Sequence, residues 1–194
     1  MKLRLLFVLG TLTFAGCALY TLVPAESTYV GGNSLVVTPT SAWNTVPTRP
    51  DQTEWEETWT RNGPLLDTVA FVGGIPEGKK LLVQRRKSDQ QVPAFRADMT
   101  PQDLVSMIEA SYRVRGITVF DVESVDPVDF LGGKGIKVRY KYAPNDGISK
   151  KGSCVARVVG KKLYVMKLEG VSSHYFDAAL PEFEQMVATA KLEK

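Results

Sequence analysis

Ile136-Lys137-Val138-Arg139-Tyr140-Lys141-Tyr142 alternates apolar and basic residues over seven positions. Side chains along a strand point to opposite faces with a period of two. The stretch therefore reads as a strand with Ile136, Val138, Tyr140 and Tyr142 on a core face and Lys137, Arg139 and Lys141 on the other. Downstream, Asn145-Asp146-Gly147 turns the chain, Cys154 to Val159 runs back, and Gly160-Lys161-Lys162 turns it again. Leu163 to Leu168 completes a three-stranded antiparallel meander.

Working towards the N-terminus, Ile117 to Val125 is strand-like, and Asp126 and Asp129 around Pro127 read as a loop. Gly132-Gly133 and Gly135 mark another. A helix precedes these: Thr100 is a good N-cap, Pro101 suits the first helical position, and Asp103 stands where a capping box carries Glu or Gln. Leu104, Ile108 and Tyr112 form its apolar stripe with Val105 beside it, and Gly116 stops it. Arg85 to Arg96 is polar, holds Pro93 and reads as a loop. Four earlier strands are expected: Ser34 to Thr38, Glu54 to Thr60, Leu65 to Val72 ended by Gly73-Gly74, and a short one over Leu81 to Gln84. Asn62-Gly63 marks a hairpin turn between the second and third.

Towards the C-terminus, residues 173–191 read as helical, with Pro181 opening the second half. Phe183, Met186, Val187 and Ala190 form an apolar stripe that must lie on the sheet. The fold class is α+β: a mostly antiparallel sheet with a C-terminal meander, flanked by a central helix and a C-terminal helix. The ending Gly-Lys-Lys-Leu-Tyr-Val-Met (160–166), His-Tyr-Phe (174–176) and Pro-Glu-Phe-Glu-Gln-Met-Val-Ala-Thr-Ala (181–190) resembles the close of the PsbP-like α/β/α sandwich. Leu35-Val36-Val37-Thr38-Pro39 and Trp43 resemble its opening. That resemblance covers residues 30–193 and rests on packing residues. It implies a fold that photosystem extrinsic proteins, a Ran-binding transport cofactor and bacterial lipoproteins share, and no single function.

The first residues carry an address. Lys2 and Arg4 precede an apolar run from Leu5 to Phe14. About ten residues suit a secretory signal core and fall short of the ~20 that span a bilayer. Phe14-Ala15-Gly16-Cys17 resembles the lipobox of bacterial lipoproteins, with Phe14 in place of the commoner Leu. The resemblance implies cleavage between Gly16 and Cys17 and acylation of Cys17. The organisation read here is a signal peptide over 1–16, a lipidated tether over 17–29 and a single α+β domain over 30–194. Ala18 after the lipidated residue implies, by resemblance to enteric lipoproteins, the periplasmic face of the outer membrane of a Gram-negative bacterium.

Composition limits the remaining readings. The formal net charge of +3 falls when Lys2 and Arg4 leave with the leader, to 22 basic residues against 21 acidic. A near-neutral mature chain excludes general nucleic-acid binding. The two cysteines, Cys17 and Cys154, allow a disulfide or two buried thiols; acylation of Cys17 leaves Cys154 as a small buried hydrophobe. No metal-ligand spacing or cofactor motif occurs, so no metal or cofactor is expected.

Charge is the strongest local feature. Lys134 to Lys167 holds ten basic residues and one acid, Asp146. Lys137, Arg139 and Lys141 form a candidate surface for anionic lipid; alternatively, Asp121 and Glu123 pair with this row across strands. His174, the one histidine, has Ser172, Ser173 and Asp177 beside it, too close in sequence to converge as a triad. It reads as a residue at a helix start capped by Ser172 or Ser173. A Cys154–His174 pair is a further candidate without activating context. Trp43, Trp55, Trp59, Tyr140, Tyr142 and Tyr164 either line a pocket or fill the core. No catalytic residue is assigned. The expectation is a membrane-anchored, non-enzymatic interaction or scaffold module with an envelope protein or anionic lipid as partner. The alternatives are a binder of a lipid or small amphiphile, which requires a cavity between sheet and helix, and a hydrolase using His174.

Overall fold

The computed structural model describes residues 20–84 and 91–193. Two short strands open the chain, β1 (Leu22–Val23) and β2 (Thr28–Val30), followed by β3 (Leu35–Val37), β4 (Trp43–Thr45), β5 (Glu56–Thr60) and β6 (Asp67–Pro76). Helix α1 (Pro101–Val114) leads to a four-strand run: β7 (Val119–Phe130), β8 (Gly133–Ala143), β9 (Lys150–Val159) and β10 (Lys162–Val171). Helix α2 (Tyr175–Thr189) and β11 (Lys191–Leu192) close the chain. The main sheet has eight strands in the order β1-β4-β5-β6-β10-β9-β8-β7, and β11-β3-β2 form a second, small sheet. Every pairing is antiparallel. The expected α+β class holds, and the expected meander is one strand longer.

The alternation over residues 136–142 sorts the two cores. Val138, Tyr140 and Tyr142 are buried under α1 with Met107, Ile108, Tyr112, Cys154 and Val165. The opposite face carries Val155, Met166 and Leu168 against Phe183, Met186 and Val187 of α2. The layers are therefore α1, sheet, α2. Trp43, Trp59, Tyr140, Tyr142 and Tyr164 are core residues; Trp55 packs at the edge of the α1-side core.

Helix α1 starts as its residues dictate. Thr100 accepts from the Asp103 amide, and the Asp103 carboxylate accepts from the Thr100 amide. Such a box contributes about 1 kcal/mol. Gly116, with φ +86°, follows the C-cap Arg115. Helix α2 runs through Pro181 without a break. Ser172 does not cap it: its hydroxyl meets that of Ser149 at 3.2 Å, and His174 at the N-cap makes no side-chain cap bond. Glu182 ties the helix to β4 instead. It accepts from the amides of Thr40 and Ser41 at 3.0 Å and from the Trp43 indole at 3.1 Å, and it pairs with Arg61.

Several expectations are corrected. Leu22–Val23 pairs with Trp43 and Asn44, and Val23 is buried, so folded structure begins inside the stretch read as tether. A two-residue strand gives no periodicity to read. Gly73-Gly74 does not end β6. The ladder continues to Pro76 through a bulge, where Val72 and Ile75 pair with Val165 and Leu163. Gly74, at φ +71°, supplies the irregular backbone. Leu81 to Gln84 is not a strand. It is tied by single bonds, such as Val83 amide to Asp51 carbonyl at 2.8 Å.

Asp126, Pro127 and Asp129 lie within β7, and Gly133 and Gly135 within β8. The turn is only Leu131-Gly132, both at positive φ, which matches the strand twist as a type I′ hairpin does. Pro127 is tolerated because β7 is an edge strand, where a missing N–H forfeits no sheet bond. The turn at Asn62-Gly63 is present but wider. Asp67 organises it by accepting from the Thr60 hydroxyl at 2.8 Å and the Arg61 amide at 2.9 Å.

Candidate functional site

Two concavities flank α1 on the same face of the sheet. The first lies at its start. The hairpin strands β7 and β8 have 12 and 11 residues, roughly 40 Å at strand rise. Helix α1 has 14 residues, roughly 21 Å at helical rise. The helix cannot cover the hairpin, and a groove of about 480 Å³ remains beyond its first turn. Met99, Pro101 and Leu104 form one wall, Val125 and Pro127 the second, and Ile136 and Val158 the floor. Gln102 and Asp126 also line it, and its two cations are engaged. Arg157 donates to the carbonyls of Phe130 (2.9 Å) and Leu131, and Lys134 pairs with Asp129 at 2.7 Å. Val125 on that wall is 43% exposed, and Val122, next on the same face of β7 across the bulge, is 40% exposed.

The second concavity, about 350 Å³, lies at the other end of α1. It is built from residues distant in sequence: Arg49 from the β4–β5 loop, Tyr112 from α1 and Arg115 from its C-cap, Tyr142 from β8, Lys150 from β9, and Lys167 and Glu169 from β10. Glu169 is its deepest charge. It pairs with Lys167 at 3.2 Å and accepts from the Tyr112 hydroxyl. The Tyr112 proton being so used, Tyr140 donates to Tyr112 across 2.7 Å, a relay of hydroxyls ending on the carboxylate. Burial by itself raises the Glu169 pKa; Lys167, the Tyr112 hydroxyl and Arg115 outweigh it and hold it at about 2. Burial and the facing carboxylate push Tyr112, Tyr140 and Tyr142 above the ordinary phenol range. At the rim, Arg115 donates to Asp51 at 2.6 Å, while Arg49 reaches Asp51 at 3.5 Å and Glu56 at 2.9 Å. Burial works against both partners of the Arg115–Asp51 pair, yet each stays in its charged form.

The candidates read from the sequence fall elsewhere. Lys137, Arg139 and Lys141 share a face, as expected, but each has an acid. Glu184 of α2 meets Lys137 at 3.6 Å and Arg139 at 3.1 Å, and Glu123 of β7 meets Lys141. Asp121 stands opposite Lys141 in register without an ion pair to it. The row is therefore a paired face rather than an open cationic one. His174 and Cys154 do not meet. Cys154 is buried under α1, with its thiol pushed up to about 12 by burial, whereas His174 is exposed at the start of α2, across the sheet. Gly16 and Cys17 lie outside the described residues. No group of metal-ligating side chains occurs among the described residues.

The polar crevice was missed, although β10 carried a signal for it. Lys167 and Glu169 continue the parity of Leu163 and Val165, so two charges extend a row that faces the core. The sequence does not show that Tyr112 and Arg115 arrive beside them.

No protein-family model and no curated sequence matches the chain. Among solved structures it is similar to a crystal structure from Bacteroides thetaiotaomicron VPI-5482, with TM-score 0.53 and 9% identity. The match covers 89% of this chain and 50% of that one, so this chain spans about half its length. It is also similar to the solution structure of cyanobacterial PsbP from Synechocystis sp. PCC 6803, with TM-score 0.44 and 13% identity over 91% of this chain and 83% of that one. A third is LpqN of Mycobacterium tuberculosis, described as involved in cell envelope biogenesis, with TM-score 0.38 and 9% identity over 90% and 84% of the two chains. These likenesses concern the fold; at such identities they carry no residue's role.

Proposed function

We propose that this protein is a lipid-anchored, non-enzymatic module of the bacterial cell envelope that holds an acyl chain or small amphiphile in the groove at the start of α1. The observation that carries the reading is the groove itself: about 480 Å³ between helix and sheet, walled mainly by apolar side chains, with Arg157 and Lys134 beside it already engaged. That volume lies within the range of small-ligand sites. The anchor in this reading rests on Phe14-Ala15-Gly16-Cys17 and the preceding apolar run, and the periplasmic face of the outer membrane on the resemblance of Ala18 to the sorting position of enteric lipoproteins. The hydrolase alternative loses its Cys154–His174 pair, because the two residues lie on opposite sides of the sheet. The alternative, docking of an envelope protein, is favoured by one observation: the exposed neighbours Val122 and Val125 on the groove side of β7.

The anchor is tested by Cys17→Ala. The expected product is an uncleaved, unacylated precursor by intact mass; a processed and acylated variant overturns the anchor. The groove is tested by titrating a fluorescent fatty-acid analogue into the purified protein. Saturable binding is expected, weakened at least about tenfold by Val125→Glu with the unfolding midpoint unchanged, since a carboxylate on an apolar wall must be desolvated. Binding that ignores this substitution, or no saturable binding, leaves the protein-docking alternative.

A further inference from the structure

We infer that the crevice at the C-terminal end of α1 is a binding site for a small oxyanion, carboxylate or phosphate, independent of the apolar groove. Four cations line it, Arg49, Arg115, Lys150 and Lys167, against one carboxylate, Glu169. That carboxylate is occupied by Lys167 and Tyr112. Asp51 and Glu56 lie behind the two guanidinium groups and do not line the cavity. Counting them as well, four cations face three carboxylates, so one positive charge remains.

The unmatched charge has an address. Among the described residues no carboxylate pairs with Lys150, which opens β9 on the wall of the crevice. The arginines hold donors in reserve. Arg115 gives Asp51 its Nε alone, so both its Nη groups are unspent; Arg49 gives Nε to Asp51 and Nη2 to Glu56 and retains Nη1. A guanidinium fixed by one carboxylate and offering further N–H groups is preorganised for a second oxyanion, with little side-chain entropy left to lose. The ammonium of Lys150 adds a point charge from the facing strand.

The size of the cavity narrows the ligand. About 350 Å³ is near the lower end of the range for small-molecule sites. Val46, Pro64, Leu65 and Ile117 line the rest, so a short apolar body next to the anionic head is tolerated. A ligand cation has no place, because the one lining carboxylate already has its ammonium and its phenol.

The test is titration of the purified full-length protein with inorganic phosphate, and separately with succinate, at ionic strength held constant with chloride. The readouts are amide chemical shifts of Ile117, Lys150 and Glu169 and the thermal midpoint. Saturable shifts confined to the crevice are expected with at least one of the two anions. Lys150→Met should weaken them at least about tenfold without altering the unliganded midpoint, because Lys150 holds no ion pair among the described residues. Response to phosphate alone identifies a phosphate site, and response to succinate alone a carboxylate site. Shifts that chloride reproduces, shifts spread over Lys161 and Lys162 as well, or shifts unchanged in Lys150→Met overturn the inference. Val125→Glu should leave these shifts intact, so failure of the groove and failure of the crevice are told apart.

Discussion

Glu169→Gln is expected to destabilise the protein by about 3 kcal/mol at neutral pH. The carboxyl group shifts from an ordinary value of 4.5 to about 2 in the folded chain. At about 1.4 kcal/mol per pH unit, that shift corresponds to roughly this amount. The sign follows from linkage. A depressed folded pKa contributes stability that is fully present above the unfolded value near 4.5 and is lost as pH falls towards 2. The wild type should therefore lose stability between pH 4.5 and 2, and Glu169→Gln should lack that component. The physical cause is Lys167. Its side chain is 15% exposed, and Gln leaves it without a counter-charge. Gln still accepts from Tyr112, so the tyrosine relay by itself does not account for the loss.

The double variant Glu169→Gln/Lys167→Met separates the two causes. Removing both members of a partly buried pair costs less than stranding one. The double variant should accordingly be more stable than Glu169→Gln alone. Urea unfolding at pH 7 and pH 3 measures all three proteins. Equal losses at both pH values, or a double variant less stable than the single one, would show that the pair does not work this way.

The second large effect is expected at Gly73. Its position is set by close approach of backbones, not by a turn. A Cβ there would run into the Gly31 carbonyl and the Ser34 hydroxyl, and would lie 2.9 Å from the Gly31 carbonyl carbon. Neither neighbour can yield easily. Ser34 donates to the Gly31 carbonyl at 2.5 Å, and the Gly73 amide donates to the Trp55 carbonyl at 3.0 Å. Gly73→Ala must therefore push the 31–34 turn, and the small sheet it leads into, away from β6. A loss of at least about 3 kcal/mol is expected, in the class of overpacking with backbone shift. Gly78→Ala is the control: φ is +83° and nothing lies within 4 Å, so only the left-handed penalty of about 1–2 kcal/mol applies. Denaturant midpoints of the two variants should differ in that order; equal midpoints would remove the close-contact argument.

Glycine shows where reading a sequence stops. Gly73-Gly74 reads as the end of a strand, and Gly74 does take positive φ, as Gly31 and Gly32 do. Gly73 is absent from that set, and its reason is a neighbour forty-two positions away. Pro127 misleads in a related way. Beside Asp126 and Asp129 it reads as a loop, yet a proline is tolerated in an edge strand, and which strand is the edge is decided by the sheet order. The capping box at Thr100 and Asp103 was legible because all its atoms lie within four residues.

The faces of residues 136–142, the start of α1, the apolar stripe of α2 and the α+β class followed from the chain read by itself. Each depends on a local period or a local hydrogen bond, and such patterns need no partner to be seen. The sequence offered Glu123 as a partner for the row Lys137, Arg139 and Lys141, and it meets Lys141. Tertiary structure alone decided that Glu184 would meet Lys137 and Arg139, and that Lys150 would have no acid among the described residues. It also brought Arg49, Arg115 and Glu169 to one crevice. Charge interactions depend on distance in space, and the sheet order that sets those distances is written in no single stretch of the sequence.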